Sequence, residues 1–336
     1  MTTPQLSRPP ATVPAAPSGT RRSPLRRTKR LLARSAVLLT ALLAVSVGAN
    51  AVLSVRDGLA QPYGQLVTIP AGDVNTAVSG TGAETFVILP GFGSASPVLE
   101  FAPLVDQLDD HATVVVVEPF GYGHSDRRTD ADRTVENIST ELHQTLTALQ
   151  VQQPYTLVAH SVGALYALDY VNRFPGEVRA VVTIDGSVPI DAVAEGGESR
   201  WNRLWTLSGV TRWVMMAKPD LLVQEPRDTY SESALRQMQA LVIRNNSTPA
   251  LVEESRRIGQ NVDAVKGLSF PAELPVLAFV AQDTIDLLPA WYPAHQEQLQ
   301  GLLRSQLTVV DDGHYLHHHH SAQIADEARA FLDAPN

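Results

Sequence analysis

The feature of this sequence that most constrains its fold is an alternation between short apolar runs and longer amphipathic stretches. Eight runs predict β-strands, at 64–70, 73–78, 85–89, 113–117, 155–159, 180–184, 275–280 and 307–310. Helices are predicted between them, at 98–108, 134–149, 162–174, 290–303 and 322–332. The first two strands are predicted to pair as a hairpin. Apolar runs that alternate with helices are typical of a mostly parallel sheet with helices on both faces. The fold class is therefore α/β.

The alternation stops after Pro189 and resumes at Pro275. The residues between them have a helical pattern, and an insertion of about 80 residues is too long for a plain loop. We therefore expect a helical cap at 188–270, inserted after the sixth strand of a domain that covers 60–336. Three tryptophans lie in the first part of this cap, and they are candidates for binding an apolar group: Trp201, Trp205 and Trp213.

The N-terminal residues differ in charge from the rest of the chain. Residues 1–56 contain nine Arg or Lys and no Asp or Glu. A basic, disordered cytoplasmic tail is predicted at 1–34. The 19 uncharged residues from Ser35 to Leu53 are long enough to cross a bilayer core of about 30 Å. We expect a transmembrane anchor or a signal segment at 35–55, with the main body held outside the cytoplasm at the membrane, or secreted after cleavage near Ala51.

The remaining chain is acidic, with 17 basic against 35 acidic residues. This balance argues against nucleic acid as a partner, because phosphate binding needs a basic face. The absence of cysteine excludes disulfides and thiolate metal sites. No glycine-rich dinucleotide motif follows the first strand, and no ligand spacing typical of a catalytic metal is present. We predict no cofactor and no metal, and the oligomeric state stays open.

A short segment between a predicted strand and a predicted helix carries the chemistry. Ala159-His160-Ser161-Val162-Gly163 has the pattern of a nucleophile elbow, in which a sharp turn lifts a serine hydroxyl clear of the sheet. The serine there takes strained backbone angles, so its neighbours must be small. Gly163 meets this requirement, whereas Ala159 stands where the motif usually has glycine. Ser161 is therefore the predicted nucleophile.

From 64 to 334 the chain resembles the α/β-hydrolase family. The resemblance rests on this elbow, on Leu89-Pro90-Gly91-Phe92-Gly93 in the place of the family's oxyanion loop, and on the loop from Glu118 to Asp126. It implies a triad in the chain order serine, acid, histidine. It also implies that the backbone N–H groups of Val162 and Phe92 hold the oxyanion. Pro90 replaces the usual histidine and has no N–H to give.

The predicted base is His314, which follows the last strand at the carboxyl edge of the sheet. In open α/β folds, ligand-binding and catalytic residues lie at this edge. The run His317 to His320 is interpreted as native sequence, with any metal binding incidental. For the acid, Asp283 at the end of the seventh strand is the first choice. Asp286 in the same loop and Asp185 at the end of the sixth strand remain alternatives.

These residues predict hydrolysis of a carboxylic ester of a small, apolar substrate through an acyl-enzyme. Serine at the elbow disfavours the haloalkane and epoxide hydrolases of this fold, which need a carboxylate nucleophile. An aminopeptidase, a carbon–carbon bond hydrolase and a cofactor-free perhydrolase remain open, because the triad does not separate them. So does a binding or signalling protein without turnover.

Overall fold

The computed structural model describes residues 24–57, 63–194, 226, 228–245 and 248–334. The chain divides into two compact units, residues 1–45 and 46–336. A helix runs from Pro24 to Asp57. It includes residues 24–34, where the sequence predicts disorder, and the Leu, Ala, Arg and Lys side chains of this stretch are good helix formers. In the described ranges, no helix has both the length and the apolar character needed to cross a membrane.

The described part of the second unit is built around an eight-stranded sheet. Its strands are β1 Gln65–Ile69, β2 Gly72–Ser79, β3 Glu84–Leu89, β4 Ala112–Glu118, β5 Tyr155–His160, β6 Val178–Ile184, β7 Val276–Ala281 and β8 Ser305–Val310. Their order across the sheet is β1-β2-β4-β3-β5-β6-β7-β8. β2 is antiparallel to both of its neighbours, and the pairs from β4 to β8 are parallel. The predicted mostly parallel sheet is confirmed.

The helices described in this unit lie between and after these strands. They are Pro97–Glu100, Ala102–Leu108, Val135–Ala148, Gly163–Arg173, Asp191–Ala194, Glu232–Asn245, Pro249–Val265, Gln282–Leu287, Trp291–Gln298 and Ser321–Asp333, with a 3-10 helix at Leu316–His318. The predicted helix at 98–108 is interrupted at Phe101, because Pro103 lacks the N–H that would continue it. The predicted helix at 290–303 ends at Gln298. The helix Gln282–Leu287 was missed by the sequence pattern.

The central strands are buried on both faces of the sheet. In β3, Val87 and Leu89 pack with the helices Val135–Ala148 and Gly163–Arg173. Their neighbours Phe86 and Ile88 face the other side and pack with Ala102–Leu108 and Ser321–Asp333. Successive side chains of a strand point to opposite faces, so a continuous apolar run is what a sheet covered on both sides requires.

Two longer helices lie in the range predicted as a cap. They are Glu232–Asn245 and Pro249–Val265. Buried residues of the second helix, among them Val262 and Val265, join the same core as the helix Gly163–Arg173. The residues 195–225 are outside the described part of the chain. The candidate substrate-binding tryptophans Trp201, Trp205 and Trp213 therefore lie there too, and their role stays a prediction.

Candidate active site

Ser161 occupies a sharp turn between a strand and a helix. β5 ends at His160, and the next helix begins at Gly163. Ser161 has a φ of 51°, in the left-handed region that non-glycine residues rarely adopt. Its N–H donates to the carbonyl of Ile184 at 3.2 Å, and its own carbonyl accepts from the N–H of Ser187 at 2.8 Å. These two hydrogen bonds to the end of β6 help to hold the strained turn in place.

Gly163 is needed because the backbone after β3 passes close to it. A Cβ atom at this position would lie 2.8 Å from the carbonyl oxygen of Pro90 and 3.0 Å from that of Leu89. Both contacts are with backbone, which cannot move aside as a side chain can. The glycine of the elbow therefore lets the helix behind Ser161 approach the loop after β3.

We expect Gly163→Ala to lower the free energy of unfolding by about 1–3 kcal/mol, because the added methyl overpacks this contact. Urea denaturation followed by circular dichroism measures the change. Gly267→Ala is the matched control, since a Cβ there meets nothing within 4 Å. Its effect should stay within about 0.5 kcal/mol. Equal stabilities for the two variants would show that the close approach is not a real constraint.

Ser161, His314 and Asp185 form a chain of hydrogen bonds. The Oγ of Ser161 lies 2.9 Å from Nε2 of His314. On the other side of the imidazole, Nδ1 lies 2.6 Å from Oδ2 of Asp185. The His314 side chain is 35% exposed, whereas that of Asp185 is fully buried. Such an arrangement can take a proton from the serine hydroxyl while the carboxylate orients the ring.

The carboxylate of Asp185 is surrounded by donors. Oδ1 accepts from the N–H of Ala281 at 3.0 Å and from Nε1 of Trp291 at 2.8 Å. Oδ2 also accepts from the hydroxyl of Thr284 at 2.6 Å. Burial by itself would raise the pKa of Asp185, but the hydrogen bonds and the nearby charge of His314 outweigh it and lower the pKa. Asp185 is therefore ionised at neutral pH, as the partner of an imidazolium must be.

The first choice of acid from the sequence, Asp283, is wrong as the partner of His314. After β7 the chain turns directly into the helix Gln282–Leu287, and Asp283 lies exposed in its first turn. The alternative Asp286 is also exposed, and its carboxylate accepts from Nε2 of Gln282 at 2.7 Å. Asp185 instead directly follows β6, with a φ of 41°. Its carboxylate is buried and contacts Nδ1 of the His314 imidazole.

The loop after β3 lies beside the serine. A Cβ on Gly91 would be 2.9 Å from Cβ of Ser161, so this glycine permits the close approach. Phe92 lines a pocket of about 160 Å³ together with Ser161 and His314. Val162 is the N-cap residue of the helix Gly163–Arg173 and directly follows the nucleophile. Both predicted oxyanion donors thus belong to segments that adjoin the serine.

A buried polar network, which the sequence reasoning missed, connects this loop to the helix Pro249–Val265. The N–H of Gly93 donates to the hydroxyl of Tyr122 at 3.2 Å. That hydroxyl donates in turn to Glu254 at 3.0 Å, and Tyr166 donates to the same carboxylate oxygen at 2.7 Å. Burial raises the pKa of Glu254, while the charge of Arg133 and the two hydrogen bonds oppose the rise. The network thus ties the loop after β3 to the helix Pro249–Val265.

The other histidines near the site have different surroundings. His160 is buried, and its Nε2 lies 3.2 Å from the carbonyl oxygen of His314 rather than at the serine hydroxyl. Burial, together with the neighbouring imidazoles, lowers its pKa well below the usual range, so it is neutral. His124 is half-buried, and its Nδ1 lies 3.0 Å from Nη1 of Arg244. His317 and His318 are buried near the pocket.

Comparison with known proteins identifies the class to which this fold belongs. A family profile described as the alpha/beta hydrolase fold matches residues 84–214. The crystal structure of Cfl2 from Burkholderia cenocepacia superposes with a TM-score of 0.62 at 18% identity, over 80% of this chain and 94% of that one. The chain has the alpha/beta hydrolase fold, and the predicted resemblance is confirmed.

Similarity to curated proteins is limited to part of each sequence. The uncharacterised protein YbdG of Bacillus subtilis is 27% identical over 160 residues, which are 48% of this chain and 46% of YbdG. The putative carbamate hydrolase RutD of Escherichia coli is 26% identical over 132 residues, which are 39% of this chain and 48% of RutD. The matches thus span about half the length of these relatives.

Proposed function

We propose that this protein is a serine hydrolase that cleaves a carboxylic ester through an acyl-enzyme, with Ser161, His314 and Asp185 as its triad. The observation that carries the proposal is the unbroken pair of hydrogen bonds at 2.9 Å and 2.6 Å on the two ring nitrogens of His314. The strained backbone of Ser161 also supports the proposal, because residues with such strained backbone angles are often found at functional sites. The match to the alpha/beta hydrolase profile and to RutD, which is named a putative carbamate hydrolase, agrees with this class.

The reaction would proceed in two halves. Oγ of Ser161 attacks the ester carbonyl carbon while Nε2 of His314 takes the hydroxyl proton, and the carbonyl electron pair moves onto the oxygen. The N–H groups of Phe92 and Val162 hold this oxyanion. When the intermediate collapses, the carbon–oxygen bond to the alcohol breaks and His314 gives its proton to the leaving group. Water, activated by the same imidazole, then releases the acid and restores Ser161.

The carboxylate of Asp185 has a purely electrostatic and orienting role in these steps. It keeps the proton of the neutral imidazole on Nδ1, which leaves Nε2 free to accept from the serine. It also stabilises the imidazolium that forms after proton transfer. The donors from Ala281, Thr284 and Trp291 help to keep the carboxylate ionised, so it stays charged while His314 cycles.

The pocket beside Ser161 favours a small acyl group. Its volume is about 160 Å³, and its wall includes the apolar side chains of Phe92 and Val242. We expect p-nitrophenyl acetate and butyrate to be hydrolysed with a higher kcat/KM than the decanoate. An equal rate for the decanoate would show that the acyl chain does not lie in this pocket.

A panel of leaving groups separates the ester hydrolase from its alternatives. The test compares p-nitrophenyl butyrate with amino-acid p-nitroanilides and with a p-nitrophenyl carbamate, using the full-length protein. The proposal expects turnover of the ester and at least a hundredfold lower kcat/KM for the anilides. Preferred hydrolysis of anilides would support the aminopeptidase alternative. Preferred hydrolysis of the carbamate would instead agree with the activity in the name of RutD.

A further inference from the structure

Three potential metal ligands meet beside the pocket that Ser161 lines, and two of them belong to its wall. Glu100 ends the short helix Pro97–Glu100, and His317 and His318 lie in the 3-10 helix Leu316–His318. One ligand atom from each side chain lies within 4.8 Å of the others. All three residues are at least 95% buried. We call them the Glu–His–His cluster.

The hydrogen bonds of this cluster are incomplete. Nε2 of His317 lies 2.9 Å from Oε1 of Glu100, and the hydroxyl of Ser94 donates to the other carboxylate oxygen. Among the described residues, however, Nδ1 of His317 and Nε2 of His318 are buried and have no hydrogen-bond partner. A buried polar atom without a partner costs about 1–3 kcal/mol. The proposed triad uses neither nitrogen, so they call for a separate explanation.

We propose that Glu100, His317 and His318 bind a divalent transition-metal ion, with Zn²⁺ as the best match. Two imidazole nitrogens and one carboxylate oxygen are a ligand set that zinc prefers, and three protein ligands leave a fourth position for water or substrate. Metal binding can be tested apart from the hydrolase proposal, since the ligands include none of Ser161, His314 and Asp185.

The protonation states of the cluster suit a cation. Burial, together with the nearby charge of His314, lowers the pKa of His317 to about 3. Burial and the charge of His317 likewise lower that of His318 to about 3. Both rings are therefore neutral at pH 7 and have a lone pair to give. Burial raises the pKa of Glu100, and the hydrogen bond from Ser94 and the charges of His318 and His314 offset this rise only in part.

Binding would fix the position of one proton. The ion takes the two unpartnered nitrogens, Nδ1 of His317 and Nε2 of His318. The ring proton of His317 then sits on Nε2, where it keeps the hydrogen bond to Oε1 of Glu100. Any proton held by the Glu100 carboxylate is released to solvent, because a metal ligand must be deprotonated. No redox step is involved.

The position of the cluster links it to the pocket. Glu100 and His318 line the same cavity as Ser161 and His314. An ion held by these side chains would therefore lie next to this cavity, where it could bind a carbonyl or carboxylate oxygen of a ligand. The ion would also tie the segment after β3 to the loop that carries His314.

Two neighbouring histidines that are more exposed provide a matched control. His319 and His320 continue the same run, but their side chains are 50% and 30% exposed. Both face Asp312, at 2.8 Å and 3.2 Å. The variant His319→Ala/His320→Ala thus removes two histidines of the run and leaves the Glu–His–His cluster intact.

The test is a titration of the full-length, chelator-treated protein with Zn²⁺, followed by isothermal titration calorimetry and by metal analysis after desalting. We expect one Zn²⁺ per chain in the native protein and in the His319→Ala/His320→Ala variant. Affinity should fall at least tenfold in His317→Gln/His318→Gln. No binding in the native protein, or an equal loss in the two double variants, would overturn the proposal.

A second measurement avoids substitution of the buried residues. X-ray absorption at the zinc edge of the loaded His319→Ala/His320→Ala variant should show two imidazole ligands together with oxygen ligands. A shell of oxygen alone would overturn the proposal, because it would place the ion on surface carboxylates. Circular dichroism establishes whether His317→Gln/His318→Gln is folded. If this variant is unfolded, the X-ray absorption result alone decides whether the Glu–His–His cluster binds zinc.

Discussion

Replacing Ser161 by Ala is expected to lower kcat for ester hydrolysis by about four to six orders of magnitude. The reason is that the acyl-enzyme cannot form without Oγ, which in the native protein lies 2.9 Å from Nε2 of His314. The fold should be unaffected, since Ala at this position needs the same backbone angles as Ser. Initial rates with p-nitrophenyl butyrate measure the loss, and a thermal melt checks the fold.

Ser305→Ala serves as the control for this substitution. Ser305 is an exposed residue at the start of β8. His314 follows the other end of this strand, so Ser305 lies away from the site. Its removal should leave kcat within about twofold, because exposed positions away from the site contribute little. A fluorophosphonate probe should label the native protein and Ser305→Ala at Ser161 and should not label Ser161→Ala. Labelling of Ser161→Ala at an unchanged rate would refute the assignment of the nucleophile.

The strands could be predicted from the sequence because their pattern is local. Each strand of the sheet begins and ends within two residues of its predicted position. A strand that is buried on both faces is apolar at nearly every position, and the four consecutive Val residues of β4 fit this pattern. The elbow could be predicted for the same reason, since its residues are adjacent in the chain.

The acid could not be predicted with the same certainty, because its role depends on contacts that are distant in sequence. Asp185 and Asp283 each lie just past the carboxyl end of a neighbouring strand, and the sequence ranks them only by position. The difference between them arises in three dimensions. Trp291 and Thr284, which donate to Asp185, come from chain segments about 100 residues further on.

The Glu254 network could not be predicted for a related reason. A Glu in the helix Pro249–Val265 has the same sequence signature whether it faces solvent or the interior. Only packing shows that Glu254 is buried against Tyr122 and Tyr166, whereas its neighbour Glu253 lies near the surface in an ion pair with Arg257. Helical periodicity gives the face of a helix, and the tertiary structure decides what each face meets.

Exchange of the two candidate acids for their amides should give opposite results. Asp185→Asn is expected to lower kcat by about 10⁴-fold, because an amide can hold the imidazole in the wrong tautomer and cannot offset its positive charge. Asp283→Asn should leave kcat within about twofold, since this side chain is exposed and the substitution keeps the backbone N–H that donates to the carbonyl of Asp312 at 3.3 Å. Both substitutions are nearly isosteric and each removes one negative charge, so the pair is matched.

The pH at which the rate is measured strengthens this comparison. Asp185 has a lowered pKa, so in the native protein its carboxylate stays ionised at pH 7 and above. The amide of Asp185→Asn is uncharged at every pH, so a higher pH does not give the variant the missing charge. We therefore expect the loss in Asp185→Asn to persist across neutral pH, with the variant still labelled slowly at Ser161 by the fluorophosphonate. If Asp283→Asn proved the damaged variant and Asp185→Asn kept its rate, then Asp185 would be a buried structural carboxylate, and the loop after β7 would have to move for Asp283 to reach His314 during turnover.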